Sequence, residues 1–145
     1  MSVKDQIKQK ILSNQKDMRL DIFLDNAMFA KNSYYYDKKP IGKKKDFITS
    51  PEISQMFGEI IGLYLFYFWN TKINAKFNFI ELGPGNGTLF KDIFDSVSNF
   101  SNFLKEAKVI FIEINSQLKK MQKEICKKLN LKNIKWHDNI NIKSN

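Results

Sequence analysis

Glu81-Leu82-Gly83-Pro84-Gly85-Asn86-Gly87-Thr88 holds the residues of this chain best suited to grip a charged small molecule. An apolar stretch, Phe77–Leu82, leads into it, with an acid two residues before the first of three alternating glycines. Strand, glycine turn and helix in that order are how open α/β folds approach a nucleotide-like cofactor. A dinucleotide fingerprint would set its third glycine one residue later, where Thr88 stands, and asks for no acid at Glu81. A carboxylate there suits a ligand that presents a cation, such as the ammonium of S-adenosylmethionine. Gly83, Gly85 and Gly87 let the backbone come close and take positive φ. The plainer alternative is a strand–turn–helix whose glycines only make a tight turn.

A second apolar run, residues 108–113, also ends on an acid, Glu113, one helix-length segment (residues 89–97) and a polar linker later. In a βαβ unit the second strand lies parallel to the first. Glu113 then closes the neighbouring strand, where an acceptor-only carboxylate can bind both ribose hydroxyls of an adenosine. The alternative is a solvated strand-end acid. A third run, residues 133–136, ends in His137-Asp138, and Asp138 could accept from an adenine amino group or be an ordinary turn residue.

The elements that must position these groups read as follows. Val3–Asn14 and residues 18–31 form two amphipathic helices, with Leu20, Phe23, Leu24, Met28 and Phe29 on one side of the second. A turn-rich aromatic loop follows, Ser33-Tyr34-Tyr35-Tyr36 onward. Ser50 then reads as an N-cap, Pro51 as the first helical residue and Glu52 as an acid complementing the helix dipole. The helix is expected over residues 51–71, with Ile53, Met56, Phe57, Ile60, Ile61, Tyr64, Leu65 and Phe68 buried against the sheet as core. Over residues 117–129, Leu118, Met121, Ile125 and Leu129 make a core face with the lysines turned to solvent.

Composition narrows the function. A length of 145 residues fits about one domain, and 43% hydrophobic content fits a packed core. The single cysteine, Cys126, permits no internal disulfide and reads as inert. With one histidine, His137, no multi-histidine metal site can form, and no metal is expected. The formal charge of +9 invites a nucleic-acid reading, yet Arg19 is the sole arginine, and bidentate phosphate or base recognition favours arginine. The lysine clusters, including Lys38, Lys39, Lys43, Lys44 and Lys45, read as solvated faces, so nucleic acid is disfavoured as a partner. The longest apolar run, residues 60–69, falls short of the roughly 18 residues of a membrane span. With no signal core or Arg-rich transit segment at the start, a cytoplasmic, bacterial-type location is the expectation.

Asp46-Phe47-Ile48-Thr49-Ser50-Pro51-Glu52-Ile53-Ser54-Gln55-Met56-Phe57-Gly58-Glu59, followed by the glycine turn, resembles the MidA-type family. Its mitochondrial members are arginine methyltransferases that assist assembly of respiratory complex I. The resemblance implies an α/β fold: a helical region over residues 1–72, then the first half of a class I methyltransferase Rossmann-like sheet, three parallel strands, over residues 73–145. It implies S-adenosylmethionine as cofactor and a protein arginine as acceptor. It also brings Asp46, Thr49 and Ser50 toward the pocket of Glu81, Gly83, Gly85, Gly87, Glu113 and Asp138, without identifying a catalytic residue. This chain departs from the family pattern at Lys45, at Ser33 and at Asn86, where the family has glycine, glycine and arginine. Family members continue past the third strand. The expectation is therefore a truncated methyltransferase with the first strand at the sheet edge. A complementary C-terminal half or a respiratory-complex subunit would be its partner. The alternative is a non-catalytic fragment or split-gene product acting only through such a partner.

Overall fold

The computed structural model describes residues 2–14, 17–30, 33–37, 46–131 and 133–141. The lysines at 38, 39 and 43–45 lie outside the described residues. Three strands, β1 (Phe77–Leu82), β2 (Ala107–Ile112) and β3 (Ile134–His137), form one parallel sheet in the order β1-β2-β3. The register sets Phe77 opposite Ala107 and Leu82 opposite Ile112, so both strand-end acids come out at the same, carboxyl-terminal edge. Among the described residues β1 is an edge strand, as expected.

Between the strands run α6 (Thr88–Ser96), the short α7 (Ser101–Glu106) and α8 (Ser116–Lys128). The segment around α7 reads as a polar linker in sequence, because Ser101 and Asn102 interrupt any apolar period. Phe103 nevertheless anchors it, buried with Trp69 and Val97. The main core is aromatic: Phe90, Phe94 and Phe111 pack with Ile93, Val109 and Cys126, flanked by Phe79 and Trp136. Phe90 and Phe111 meet edge to face at 4.7 Å, the geometry ring quadrupoles favour. Cys126 is buried there, which pushes its thiol up to about 11, so it packs as an apolar residue.

The amino-terminal part comprises α1 (Val3–Asn14), α2 (Leu20–Phe29), α3 (Tyr34–Asp37), α4 (Ser50–Ile53) and α5 (Gln55–Phe68). The single helix expected over residues 51–71 is three pieces. Thr49, not Ser50, occupies the cap position of α4, and Ser54 in extended backbone separates α4 from α5. A π-helical turn, Trp69–Ile73, ends the run at Asn74 in the left-handed region.

The apolar stripe of α5 is only in part the core it reads as: Ile61 and Leu65 are half-buried and pack against the main core, and the rest is not. Met56, Ile60 and Tyr64 are each over 60% exposed, and Ile53, Phe57 and Phe68 are exposed too. The face that packs carries Gly58 and Gly62, laid on α6, with Ile61 and Leu65 beside them. A Cβ at Gly58 would come within 2.5 Å of the Asp92 side chain. One at Gly62 would run into Ser96 Oγ and stand 2.8 Å from the Ile93 carbonyl. The helices therefore touch nearly backbone to backbone, while α6 and α8 line the sheet. The apolar residues of α2 are likewise mostly exposed: none is fully buried, and Leu20 is 70% exposed.

Gly62→Ala should therefore destabilise the fold by about 1–3 kcal/mol, because the added methyl forces α5 off α6. Tyr64→Ala, on the exposed face of the same helix, should change stability by less than about 0.5 kcal/mol. Paired chemical denaturation curves measure both, and equal losses would mean that the glycine face is not the contact that holds α5.

Candidate cofactor site

The site is built where β1 and β2 end. β1 delivers Glu81 and runs into the turn Gly83-Pro84-Gly85-Asn86-Gly87. Gly83, Gly85 and Gly87 have φ of 61°, 57° and 80°, so each of the three positions requires the left-handed region that glycine adopts freely. The reasons for glycine differ along the turn. A Cβ on Gly83 would meet nothing within 4 Å, so this residue borders open space. A Cβ on Gly87 would stand 3.0 Å from Ile125 Cδ1, so there the demand is close packing of the turn on α8. The turn is stitched to β2 by Gly83 N–H donating to the Ile112 carbonyl at 2.9 Å.

A cavity of about 400 Å³ opens beside this turn, lined by Gly83, Gly85, Ile112, Glu113, Ile114, Leu118, Phe29 and Tyr35. It joins the ends of β1 and β2 to the amino-terminal helices. Phe29 and Tyr35 stack at 5.7 Å and give the cavity an aromatic wall. A larger cleft, about 550 Å³, lies at the opposite end of the strands among Lys76, Lys105, Lys108 and Lys135, away from the glycine turn.

Glu113 is buried, and its carboxylate is held from behind. Asn115 N–H donates to Oε1 at 2.8 Å and Gln122 Nε2 to Oε2 at 3.3 Å. A carboxylate has about four acceptor sites, so two bonds leave capacity for further donors from the cavity. Gln122, on α8, is only 1% exposed. Its amide also donates to the Gly85 carbonyl at 2.8 Å, and its Oε1 accepts from Trp136 Nε1 at 3.0 Å. Asn115 caps α8 through Oδ1, accepting from Gln117 and Leu118 N–H, while its Nδ2 donates to the Tyr35 carbonyl at 2.9 Å. Burial forces this density of bonds, since an unpaired polar group there costs about 1–3 kcal/mol.

Glu81 is the exception. It lies on the strand face that α6 and α8 cover, in register with Phe111. Its Oε2 is buried without a hydrogen-bond partner among the described residues. Burial pushes its carboxyl up to about 7. Glu81 is not among the residues that line the cavity; an acid with an unpartnered oxygen two residues before Gly83, which borders open space, fits a cofactor that brings a positive group to the turn.

The other expected residues are placed as follows. Asp138 is exposed and paired with Lys119, outside the cavity lining. Asp46 is exposed and accepts from Tyr34 Oη at 2.5 Å, a bond that raises the tyrosine to about 12. Thr49 and Ser50 are exposed, and none of Asp46, Thr49 and Ser50 lines the cavity. The residue of that segment which reaches the turn is Glu52. Its Oε1 accepts from Thr88 Oγ1 at 2.5 Å and Asn86 Nδ2 at 3.3 Å. Sequence reasoning overlooked Gln122, Asn115, Phe29 and Tyr35. The one available signal was Gln122 itself, a polar residue inside the apolar stripe of Leu118, Met121 and Ile125.

Residues 60–144 match the family described as "Putative S-adenosyl-L-methionine-dependent methyltransferase". "Protein arginine methyltransferase NDUFAF7, mitochondrial" of Bos taurus is 41% identical over 92 residues, covering 61% of this chain and 21% of that protein. Its Drosophila melanogaster homolog is 34% identical over 122 residues, covering 83% and 28%. The chain thus spans about a quarter of the length of these curated relatives. A crystal structure from Burkholderia thailandensis, titled as a "likely methyl transferase" bound to S-adenosyl-homocysteine, superposes with a TM-score of 0.78. It is 18% identical, covering 94% of this chain and 37% of that one, and shows the shared fold. The cytoplasmic expectation is corrected by the relatives, which are named as mitochondrial proteins. No helix among the described residues is long and apolar enough to cross a membrane. With its glycine turn, two strand-end acids and matched family model, the chain belongs to the S-adenosyl-L-methionine-dependent methyltransferase family.

Proposed function

We propose that this chain supplies the cofactor-binding half of a protein arginine methyltransferase. The observation that carries the reading is the cavity bounded by Gly83, Gly85 and Glu113 at the carboxyl ends of β1 and β2. Open α/β folds bind ligands in that crevice. Arginine as the acceptor rests on the names of the curated relatives, and a substrate among respiratory complex I subunits rests on the resemblance of the Asp46–Glu59 segment. Residues 1–72 would wall the cavity from the helical side, and residues 73–145 would hold the cofactor.

When bound, S-adenosylmethionine supplies an electrophilic methyl group, which a guanidinium nitrogen lone pair takes as the carbon–sulfur bond breaks to leave a neutral thioether, the nitrogen losing a proton to solvent. The residues of this chain bind and orient. Glu113 would accept from the ribose hydroxyls with its spare lone pairs, fixed in rotamer by Asn115 and Gln122. Gly83 and Gly85 would let the turn lie against the methionine portion. Glu81 would offer its ionised carboxylate to a cationic group. Ile112, Ile114, Leu118, Phe29 and Tyr35 give the adenosine an apolar and aromatic wall. The acceptor side is a further partner surface: β1 presents a strand edge with exposed Ile80 and Leu82, where another strand can add.

Calorimetry tests the cofactor. S-adenosyl-homocysteine should bind at least tenfold more tightly than NAD, and a reversed preference would remove the methyltransferase reading. Glu113→Gln, which keeps the volume, should weaken S-adenosyl-homocysteine by about tenfold or more, since a bond to a charged acceptor contributes about 1.5–3 kcal/mol.

Glu81 gives a pH-dependent outcome. Its carboxyl is raised from 4.5 to about 7 in the fold, so the native state holds the proton more tightly than the unfolded chain. The associated stability is complete below the unfolded value and is lost as pH rises through about 7. Relative to wild type, Glu81→Gln should gain on the order of 2–3 kcal/mol between pH 4 and pH 8. Affinity of wild type for S-adenosylmethionine should rise across the same window, because the ionised form pairs with the ligand's positive charge. Denaturation and binding series at several pH values read both; a pH-independent difference would show that Glu81 is not the titrating group.

A further inference from the structure

Glu52 is far from the glycine turn in sequence and bonded to it in space. The residue at the N-cap of α6 is Gly87, which has no side chain with which to cap it. Glu52 reaches in from α4 and accepts from Thr88, the first residue of α6, and from Asn86 in the turn. Both donors are neutral, and among the described residues no lysine or arginine forms an ion pair with Glu52. Among the described residues its charge is therefore not paired with a cation at the amino end of α6. In dinucleotide-binding folds that end attracts phosphate, because the helix dipole and free N–H groups are positive there. Here a carboxylate already sits on it, and Glu81 approaches the same turn from the strand side.

We propose that Glu52 is a specificity-determining residue whose carboxylate tunes the glycine turn toward a cofactor carrying positive charge. The proposal rests on the S-adenosylmethionine reading above. It goes beyond it by assigning the preference for the sulfonium form to one residue outside the cavity lining. A unit charge acting over several ångströms in partly buried surroundings changes affinity by about three- to tenfold.

The test compares S-adenosylmethionine, which carries the sulfonium charge, with S-adenosyl-homocysteine, which lacks it. Glu52→Gln keeps the acceptor oxygen for Thr88 and Asn86 and removes only the charge. It should lower the ratio of S-adenosylmethionine to S-adenosyl-homocysteine affinity by about three- to tenfold, measured by calorimetry. Thr88→Val removes the hydroxyl donor and keeps the charge, so it should leave the ratio within about twofold of wild type. In wild-type protein the ratio should fall as salt rises from about 20 to 500 mM, since screening weakens the attraction. This arm needs no variant to fold. An unchanged ratio in Glu52→Gln, an equal fall in Thr88→Val, or a salt-independent wild-type ratio would each overturn the role of Glu52. Wild-type protein that binds neither ligand would instead overturn the cofactor reading itself.

Discussion

One buried amide ties the candidate site together. Gln122 donates to the Gly85 carbonyl and to Glu113, and accepts from Trp136, so a single side chain joins the glycine turn, the end of β2 and β3. Its position on α8 makes this possible, because Leu118, Gln122 and Cys126 form the most buried line of that helix. Filling the place with an apolar residue of similar size would leave the Trp136 indole N–H without this acceptor and the Gly85 carbonyl without this donor. A partly satisfied buried network is worse than none. The geometry of the turn is therefore not a property of the glycines alone. They permit the positive φ values, and the amide behind them selects one arrangement.

Much of this was legible in the residues. The three strands, their parallel order and the two strand-end acids follow from apolar runs that end on Glu81 and Glu113. α1 spans Val3–Asn14, the residues read as the first amphipathic helix. The failures have a common cause. Local pattern reports which residues are apolar, and not which neighbour reaches them. The stripe of α5 has the period of a buried helix, yet α6 meets Gly58 and Gly62, and of the stripe only Ile61 and Leu65 pack beside them. Asp138 closes its strand as the other acids do, yet Lys119 on α8 holds it at the surface. Gln122 and Asn115 could be valued only once the chain had folded back to bring Gly85 and Tyr35 beside them.

The charges of the site follow a consistent rule. Glu113, whose oxygens receive an N–H and an amide, is satisfied in place. Glu81 has desolvation without compensation, so its carboxyl rises toward neutrality. The two acids differ in their hydrogen-bond partners. A group left in that state is stabilised most by what it lacks, namely a donor or a cation. The same physics that makes Glu81 a weak point for the fold above pH 7 would favour a cation brought beside it.

The helical part follows from the same close approach. Because α5 meets α6 through glycines, α4 is drawn near enough to the start of α6 for Glu52 to reach Thr88. A bulkier contact would lift α5, and with it α4, away from the turn. Gly58 and Gly62 thus act on the site at one remove: they fix the spacing of two helices, and that spacing decides whether a carboxylate reaches the amino end of α6. The exposed stripe of Met56, Ile60 and Tyr64 lies on α5 away from this glycine contact.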